Sequence, residues 1–224
     1  MVFDIRPEVV SFTFGLPPAD VCTHLRDVGV TTVGTVTTEQ EAKMAVAHGV
    51  NALVVQGPLA GGHRGTFDAT AHPPSESLQE LLAAIVANVD VPVVAAGGLA
   101  TAADVAGVVA AGAVAAQLGT VFLLADEAGT NPVYRTALRD GEFTETVVTK
   151  AFTGRYARAL RNRFVNEHDA EAPFGFPELA LMTGPLLKAA EKAGDPHGMS
   201  MWAGSAFQQA KAGSVAEIME GLFQ

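Results

Sequence analysis

Short apolar runs alternate with segments of mixed polarity along the first half of the chain. The runs are rich in β-branched residues and predict strands at 9–14, 31–36, 52–56, 91–96 and 113–118. We interpret the runs as continuous strand segments with few charged residues rather than as alternating ones, which is typical of parallel strands that are buried on both faces. The regular strand–helix order predicts a βαβ architecture, and therefore an α/β fold.

Helical spacing of apolar residues separates these strands. The pattern predicts helices at 20–28, 39–48, 75–88 and 101–111. Thr37 or Thr38 suits the N-cap of the second helix, with Glu41 in its first turn. Strands begin about every 22 residues, except where a glycine-rich loop lengthens one unit. This period favours a (β/α) barrel, and no GxGxxG motif follows the first strand to indicate an open nucleotide-binding fold.

The polarity pattern changes after about residue 125. The later sequence predicts an extra strand at 144–150, a cationic helix at 155–164, and surface or lid helices at 178–193 and 214–223. We therefore expect two regions, a partial barrel at 1–150 and a C-terminal helical region at 151–224.

Composition narrows the range of functions. The chain has 224 residues, 49% of them hydrophobic, which is enough for a sizeable core. Its formal net charge of −10 argues against nucleic-acid binding, which needs Lys and Arg to neutralise phosphates. No apolar run approaches the ~20 residues that cross a bilayer, and the N-terminus lacks a signal-peptide pattern. We expect a cytoplasmic protein without a membrane partner.

The cysteine content and the search for metal-binding motifs indicate neither a disulfide nor a metal site. The single cysteine, Cys22, excludes an internal disulfide, and its place in a helical pattern suggests a small core residue. The sequence contains no HExxH motif, no CxxC motif and no histidine pair at ligand spacing. We therefore expect no metal site.

Glycines mark the ends of three predicted strands, at Gln56-Gly57, Gly97-Gly98 and Gly119-Thr120. In parallel α/β folds, ligands bind at the carboxyl ends of the strands, and glycine lets backbone amides come close to them. Barrels commonly hold a phosphate in the loops after their last two strands. The candidate phosphate-binding residues are Gly97, Gly98, Gly119 and Thr120. The alternative is that these glycines form ordinary tight turns.

One histidine lies between glycines just after the third predicted strand, in AGGHRG (60–65). The ordinary pKa of histidine, near 6.5, suits proton transfer at neutral pH. His63 is therefore a candidate general base, and the alternative is a solvated histidine on a flexible loop. The other five histidines carry weaker signals.

A set of segments in this order resembles class I nitronate monooxygenases. The segments are SFTFGLP (11–17), GTVTTEQEA (34–42), VVQGPLAGGHRGTF (54–67), PVVAAGGLA (92–100), QLGTVFLL (117–124), TGRYARALRNRF (153–164) and MWAGSA (201–206). The resemblance implies a TIM-like barrel with FMN at its mouth, and oxidation of alkyl nitronates or nitroalkanes by O2 without a nicotinamide.

The resemblance also implies roles for particular residues. His63 matches the active-site base that removes an α-proton from a nitroalkane. Gly97, Gly98, Gly119 and Thr120 match loops that bind the FMN phosphate. Gln56, Gly57 and Gly62 match positions along the flavin, and Trp202 and Gly204 match a C-terminal segment that returns to the cofactor.

The chain departs from the family pattern in two ways. Thr13 replaces a second active-site histidine; it can still donate a hydrogen bond to a nitro or nitronate oxygen, but it cannot carry a charge. The first strand matches the fourth strand of the family barrel, so we expect an incomplete TIM-like (β/α) barrel of strands four to eight. Such a chain is a fragment, a misplaced start, or a natural truncation that covers its edge strands as a homo-oligomer.

Two other functions remain open on the sequence alone. Flavin-dependent enoyl-ACP reductases of the FabK kind share much of the pattern and take electrons from NAD(P)H. A truncated barrel could also have lost its flavin and act as an inactive assembly module.

Overall fold

A computed structural model describes residues 2–223. In chain order, the strands are β1 (Val9–Phe12), β2 (Thr31–Val36), β3 (Ala52–Gln56), β4 (Gly62–His63), β5 (Val93–Ala96), β6 (Ala115–Gln117), β7 (Thr146–Thr149) and β8 (Ala157–Leu160). The α-helices are α1 (Val2–Ile5), α2 (Ala19–Asp27), α3 (Glu39–Ala47), α4 (Leu78–Val86), α5 (Ala102–Ala110), α6 (Pro132–Arg139), α7 (Arg163–His168), α8 (Glu178–Ala193) and α9 (Val215–Glu220). Short 3-10 helices cover Thr120–Phe122, Pro196–Gly198 and Phe207–Gln209.

These elements belong to two compact units. Unit 1 consists of the residues up to Pro58, together with Gly65–Gly97 and Val105–Gln117. Unit 2 consists of Leu59–Arg64, Gly98–Asp104 and the residues from Leu118 onward. The functional division into 1–150 and 151–224 that the sequence suggests stays a prediction.

Unit 1 contains a five-stranded parallel sheet with the order β1-β2-β3-β5-β6. Val9 pairs with Thr31 across the first two strands, and the following pairs are also parallel. The predicted α/β class and its five parallel strands are confirmed. Over residues 2–223, β1 and β6 each have one neighbour in this sheet, so the sheet is not closed into a barrel.

Burial differs among the strands of this sheet. The central residues of β3, Leu53 to Val55, are all buried, as the apolar run predicts. In β2, by contrast, Thr32 and Val36 are buried while Val33 and Thr35 are only half-buried. The prediction of burial on both faces is therefore wrong for β2, and also for the edge strands β1 and β6, in which no residue is buried. The alternation in β2 shows that one face packs against helices while the other is less covered.

Side-chain caps determine where helices begin in unit 1. The hydroxyl of Thr38 accepts a hydrogen bond from the Glu41 backbone at 3.0 Å, as predicted for the start of α3. The Glu41 carboxylate accepts from the backbone and hydroxyl of Thr37. Ser77 and Glu80 form a capping box, so α4 begins at Leu78 rather than at residue 75. Each cap satisfies backbone N–H groups that a helix leaves without internal partners.

Unit 2 contains a three-stranded antiparallel sheet with the order β4-β8-β7. One buried cluster includes Leu160, Met201 and Phe207, and another includes Phe152 and Val165. The β8 strand contributes to both clusters, because Leu160 belongs to the first and Ala159 to the second. This strand therefore joins the core of unit 2 to the short strand that carries His63.

The prediction of a cationic helix at 155–164 is wrong. The segment forms strand β8, and α7 begins only at Arg163. Within β8, Ala157 and Ala159 are buried while Arg158 is half-buried and donates to the Thr146 hydroxyl on β7 at 3.0 Å. Asn162 then caps α7 by accepting from the Val165 backbone. Pairing with β7 and β4 overrides the helical propensity of the arginines, which is a weak local preference.

The later helices follow the predictions closely. The α8 helix has the predicted bounds, and the strand predicted at 144–150 is β7 (Thr146–Thr149). The α9 helix is shorter than predicted, because Ser214 is its cap and Glu220 its last residue. No helix between residues 2 and 223 is long and apolar enough to cross a membrane.

Candidate active site

His63 lies on a strand rather than on the flexible loop that its glycine neighbours suggest. It pairs with Ala157 across the antiparallel β4–β8 ladder, and Gly62 pairs with Arg158. The next residue, Arg64, donates its backbone N–H to the Tyr156 carbonyl at 2.8 Å. The backbone of residues 62–64 is thus held along residues 156–158, and the His63 side chain on it is half-buried.

The hydrogen bond of the His63 ring identifies its neutral tautomer. Nε2 lies 2.9 Å from the Thr153 hydroxyl, and that hydroxyl donates to the Arg155 carbonyl at 3.2 Å. A threonine hydroxyl has one proton, and a carbonyl can only accept. We therefore assign the Thr153 oxygen as the acceptor from His63 and the ring proton to Nε2. In the neutral ring, Nδ1 is then the nitrogen that can take up a proton.

The pKa of His63 is lower than its ordinary value of 6.5. Burial is the larger cause, because it removes water from the charged imidazolium. The positive charge of Arg155 is the second cause. Both effects keep the ring neutral near pH 7, which is the state that a general base requires.

Two aromatic rings pack against the His63 ring. The Trp202 ring lies 5.4 Å from it between centroids, and the Phe176 ring lies 5.2 Å away in an edge-on arrangement. Trp202 is fixed in turn by Phe152, whose ring meets it edge-on at 5.4 Å, and by Tyr134, whose hydroxyl donates to the Trp202 carbonyl at 2.7 Å. These contacts give the histidine an apolar border on a fixed backbone.

Unit 2 brings the segment after Trp202 against the chain just before His63. The Ser205 backbone donates to the Leu59 carbonyl at 3.1 Å. A methyl group on Gly61 would lie 2.4 Å from the backbone nitrogen of Gly204, so the two glycines allow the backbones to touch. The Gly204 backbone also donates to the Thr120 hydroxyl at 2.9 Å. The adjacent residues Gly204 and Ser205 are thus hydrogen-bonded to Thr120 and to Leu59, which lies four residues before His63.

The other predicted glycines of unit 2 differ in their backbone conformation and in the space around them. Gly98 has a positive φ of +78°, and a methyl group there would lie 2.9 Å from Leu59, so its backbone conformation and its packing both favour glycine. Gly119 has no positive φ, and nothing in the described chain lies within 4 Å of a methyl group built on it. Gly62 also opens onto unfilled space. The surroundings of Gly119 leave room for a group from outside the chain.

Unit 1 holds the remaining predicted residues. The Thr13 hydroxyl, just beyond β1, lies 3.4 Å from that of Thr35 on β2, and Phe14 next to it has a strained φ of 72°. The Gln56 side chain accepts from the Gly65 backbone at 2.9 Å. Thr13, Thr35 and Gln56 all lie at the carboxyl ends of neighbouring parallel strands.

Gly57 and Gly97 have structural reasons to be glycine. A methyl group on Gly57 would lie 2.8 Å from Leu78, where α4 begins, and Gly97 has a φ of +108°. The Gly57 backbone donates to the Ala96 carbonyl at 2.8 Å, which extends the β3–β5 pairing. The alternative of ordinary tight turns therefore accounts for these two glycines, and their role at a flavin stays a prediction.

Several residues of the site are missed by sequence patterns. Thr153 and Phe176 lie 90 and 113 positions from His63, and neither belongs to a motif that marks a contact with it. Tyr134 lies on α6, an element that the polarity pattern does not separate from its surroundings. Residues 156–158 pair with residues 62–64 in the structure, but the sequence predicts a helix at 155–164, so no local pattern brings this segment to His63.

Two further observations concern titratable groups outside this site. Cys22 is fully buried in α2, and burial raises the pKa of its thiol, which disfavours the reactive thiolate. Among residues 2–223, no group of three or more His, Cys, Asp or Glu side chains is arranged to hold a metal ion.

Comparison with known proteins places this geometry in context. The crystal structure of nitroalkane oxidase from Streptomyces ansochromogenes is 44% identical, with a TM-score of 0.92 over 99% of this chain and 64% of that chain. The structure of FabK from Thermotoga maritima is 26% identical, with a TM-score of 0.80 over 99% of this chain and 68% of that chain. Both likenesses fit the open parallel sheet as part of a TIM-barrel fold.

Curated sequences agree with the structural likeness. The nitronate monooxygenase of Paraburkholderia phytofirmans is 38% identical over 221 residues, which are 97% of this chain and 60% of that protein. The chain thus spans about 60% of the length of this curated relative. The family model for nitronate monooxygenase matches residues 1–224. The chain therefore belongs to the nitronate monooxygenase family.

Proposed function

We propose that this chain carries the general base and cofactor-binding residues of an FMN-dependent enzyme that oxidises alkyl nitronates or nitroalkanes with O2. Membership of the family supports the reaction class. The chain spans only about 60% of the length of a curated relative, so the activity of such a whole relative is a proposal for this chain. The single observation that carries the proposal is the fixed, neutral His63.

His63 performs the proton transfer in this proposal. Its Nδ1 takes the α-proton of a nitroalkane, while Nε2 keeps its proton in the hydrogen bond to Thr153. The C–H electron pair stays on the substrate, which becomes a nitronate. The lowered pKa of His63 favours the neutral base before transfer. Trp202 and Phe176 border the ring and limit access of water to the proton in transit.

The residues of unit 2 fit a flavin phosphate. Open space beside Gly119 lets a phosphate oxygen approach the backbone, and the Thr120 hydroxyl accepts from Gly204 while keeping its own proton for donation. We assign the phosphate to Gly98, Gly119 and Thr120 in unit 2, and we retain Gly97 as a candidate. When bound, FMN would accept electrons from the nitronate, and O2 would complete the oxidation.

The other candidate cofactor residues are proposed on the family pattern. They are Gln56 and Gly57 in unit 1, and Gly62, Trp202 and Gly204 in unit 2. Thr13 is proposed to donate a hydrogen bond to an oxygen of the nitro group. Its neighbour Thr35 at 3.4 Å gives the hydroxyl an alternative partner, so Thr13 can turn between partner and ligand.

A second candidate function is an NAD(P)H-dependent reduction of an enoyl thioester. The likeness to FabK, with a TM-score of 0.80, favours keeping it. The two functions differ in the source of electrons, which is the nitronate itself in one and a nicotinamide in the other. Consumption of NAD(P)H by flavin-loaded protein without a nitronate would favour the reductase. A purified protein that is colourless and takes up no FMN would favour an inactive assembly module.

The decisive experiment uses His63→Asn with two forms of one substrate. A neutral nitroalkane needs a base, whereas a nitronate prepared in alkali has already lost its α-proton. We expect His63→Asn to lower O2 uptake with the nitroalkane by roughly 10²–10⁴-fold, the usual contribution of a general base. Uptake with the preformed nitronate should fall far less.

A flavin absorbance spectrum of both proteins with added FMN is the control. Equal FMN binding shows that the substitution spared the cofactor site. Equal losses with both substrates, or no loss with either, would contradict the assignment of His63 as the base. Wild-type protein that binds FMN but oxidises neither substrate would contradict the proposed reaction.

A further inference from the structure

The segment that carries Trp202 lies outside every described helix and strand of unit 2. Residues 201–204 therefore lack the regular backbone ladder of a sheet or a helix. Their backbone groups are held one at a time instead, at Met201, Trp202 and Gly204, by three other parts of the chain. The position of the Trp202 ring thus depends on a few individual contacts.

Tyr134 supplies the contact at Trp202. Its hydroxyl donates to the Trp202 carbonyl at 2.7 Å, and the direction of this bond is fixed because a carbonyl can only accept. Tyr134 is only 8% exposed and belongs to the same buried cluster as Ala203, the residue after Trp202. Burial raises the pKa of the Tyr134 phenol above its ordinary value of 10.0, so the hydroxyl stays protonated and remains a donor near neutral pH.

The start of the α6 helix is itself held firmly. Asn131 caps the helix by accepting a hydrogen bond from the Tyr134 backbone at 2.8 Å. The next residue, Arg135, donates from its guanidinium to the backbone carbonyls of residues 124 and 125 at 2.7 and 2.9 Å. Two adjacent residues of α6 thus bond to two separate segments of unit 2, and Tyr134 has a fixed base from which to hold Trp202.

The segment that Tyr134 holds reaches two parts of the candidate site. The Trp202 ring lies 5.4 Å from the His63 ring between centroids. Two residues later, the Gly204 backbone donates to the hydroxyl of Thr120 at 2.9 Å. A shift of the Trp202 carbonyl would move both the ring and the donor to Thr120, because they belong to one short stretch of backbone.

We propose that Tyr134 is a positioning residue that holds Trp202 against His63 and, through Gly204, holds Thr120 in place. The inference rests on the proposed function for the roles of His63 and Thr120. Without the Tyr134 hydroxyl, the Trp202 carbonyl loses a buried donor, so the segment shifts to let water reach it. The Trp202 ring then packs less closely on His63, and water reaches the base.

The variant Tyr134→Phe tests this role, because it removes the hydroxyl and keeps the ring in its cluster. Trp202 is the only tryptophan of the chain, so tryptophan emission reports on this residue alone. In the chain without FMN, we expect Tyr134→Phe to shift the emission to longer wavelength and to make it more sensitive to quenching by acrylamide. NMR titration of the His63 ring should show its pKa raised toward 6.5, because the burial that lowers it is reduced.

The link to Thr120 is tested by FMN binding to the 224-residue chain. Tyr134→Phe should weaken FMN binding about 2- to 10-fold, the usual effect of one hydrogen bond. In a Thr120→Val background the same change should weaken it by less than about twofold, because the hydroxyl through which Tyr134 acts on the cofactor is already absent. Equal losses in both backgrounds, or a wild-type chain that binds no FMN, would overturn this link.

Ile218→Ala is the matched control. Ile218 is 8% exposed, as Tyr134 is, but it lies on α9 outside the two buried clusters of unit 2. Its replacement should lower stability and leave the Trp202 emission, the His63 titration and the FMN affinity as in the wild type.

The proposal is overturned if Tyr134→Phe matches the wild type in emission and titration. It is also overturned if Ile218→Ala shifts both as much as Tyr134→Phe does, because the effect would then follow stability alone. Neither measurement needs FMN or a nitroalkane. A wild-type chain that oxidises no nitroalkane would therefore contradict the proposed function and leave the test of Tyr134 decisive.

Discussion

At the scale of residues, the donor–acceptor order of the hydrogen bonds around His63 determines which ring nitrogen carries the proton. The Arg155 carbonyl fixes the Thr153 proton, and the Thr153 oxygen then fixes the proton of His63 on Nε2. Neither the glycine-flanked motif nor the polarity pattern contains this order, since Thr153 lies on a different part of the chain. Thr153 is thus a positioning residue, which acts through His63.

Replacing Thr153 tests this order. We expect Thr153→Ala to lower kcat for a neutral nitroalkane by roughly 2- to 10-fold, because one hydrogen bond contributes about 0.5–1.5 kcal/mol. Thr153→Ser keeps the hydroxyl and should stay near wild type. Nitrogen NMR of the His63 ring supplies a readout that does not depend on turnover. An Nε2-protonated ring in Thr153→Ala as clear as in the wild type would contradict the role of Thr153.

The lowered pKa of His63 also links stability to pH. The unfolded chain binds a proton to this residue near pH 6.5, whereas the folded chain binds it only at a lower pH. Between these two pKa values the unfolded state holds more protons, so the free energy of unfolding falls as the pH falls. We expect urea unfolding to show a larger loss of stability on acidification below pH 6.5 in the wild type than in His63→Asn. Parallel curves for the two proteins would contradict a lowered pKa.

At the scale of elements, local patterns predict unit 1 well and unit 2 only in part. The bounds of β2, β3 and α8 match their predictions, because apolar runs, caps and helical spacing are local signals. Strand β4 is two residues long and exists only through its pairing with β8, so no local pattern could reveal it. Long-range pairing also makes residues 157–160 a strand, although the arginines of this segment favour a helix.

The junction between Gly61 and Gly204 offers a test at this scale. We expect Gly61→Ala to lower the free energy of unfolding by about 1–3 kcal/mol, because the added methyl group would overlap the Gly204 backbone. Chemical denaturation measures this loss. Gly119→Ala is the matched control, since nothing lies within 4 Å of its added methyl group.

The control variant has its own expected result. Gly119→Ala should keep its stability within about 0.5 kcal/mol of the wild type, as most open surface positions do. Its affinity for FMN should nevertheless fall, because the methyl group occupies the space assigned to the phosphate. Loss of stability without loss of flavin affinity would contradict the role given to Gly119.

At the scale of the whole molecule, the net charge of −10 acts on every conformation. Like charges repel more strongly in the compact state than in the unfolded chain, and salt screens them over about 8 Å at physiological ionic strength. The ion pairs Arg161–Glu145 and Arg163–Asp195 lie at the surface, so they oppose this effect weakly.

We therefore expect the melting temperature to rise with added NaCl. A change of up to about 1 kcal/mol corresponds to roughly 2–4 °C for a chain of this size. Differential scanning fluorimetry between low and physiological salt measures the shift, and a variant with several exposed Glu changed to Gln should show a smaller one. A melting temperature that falls with salt would show that surface ion pairs outweigh the repulsion.

The origin of the His63 environment has a consequence for recombination between relatives. His63 and Gly61 come from the short segment Leu59–Arg64, whereas Thr153, Phe176 and Trp202 all come from residues beyond 150. A crossover between two parental genes anywhere from residue 65 to residue 152 would therefore give a chimera whose histidine and supporting residues have different ancestors. A safer exchange would transfer the codons for 59–64 together with those for the C-terminal part, so that the base and its support are inherited as one set.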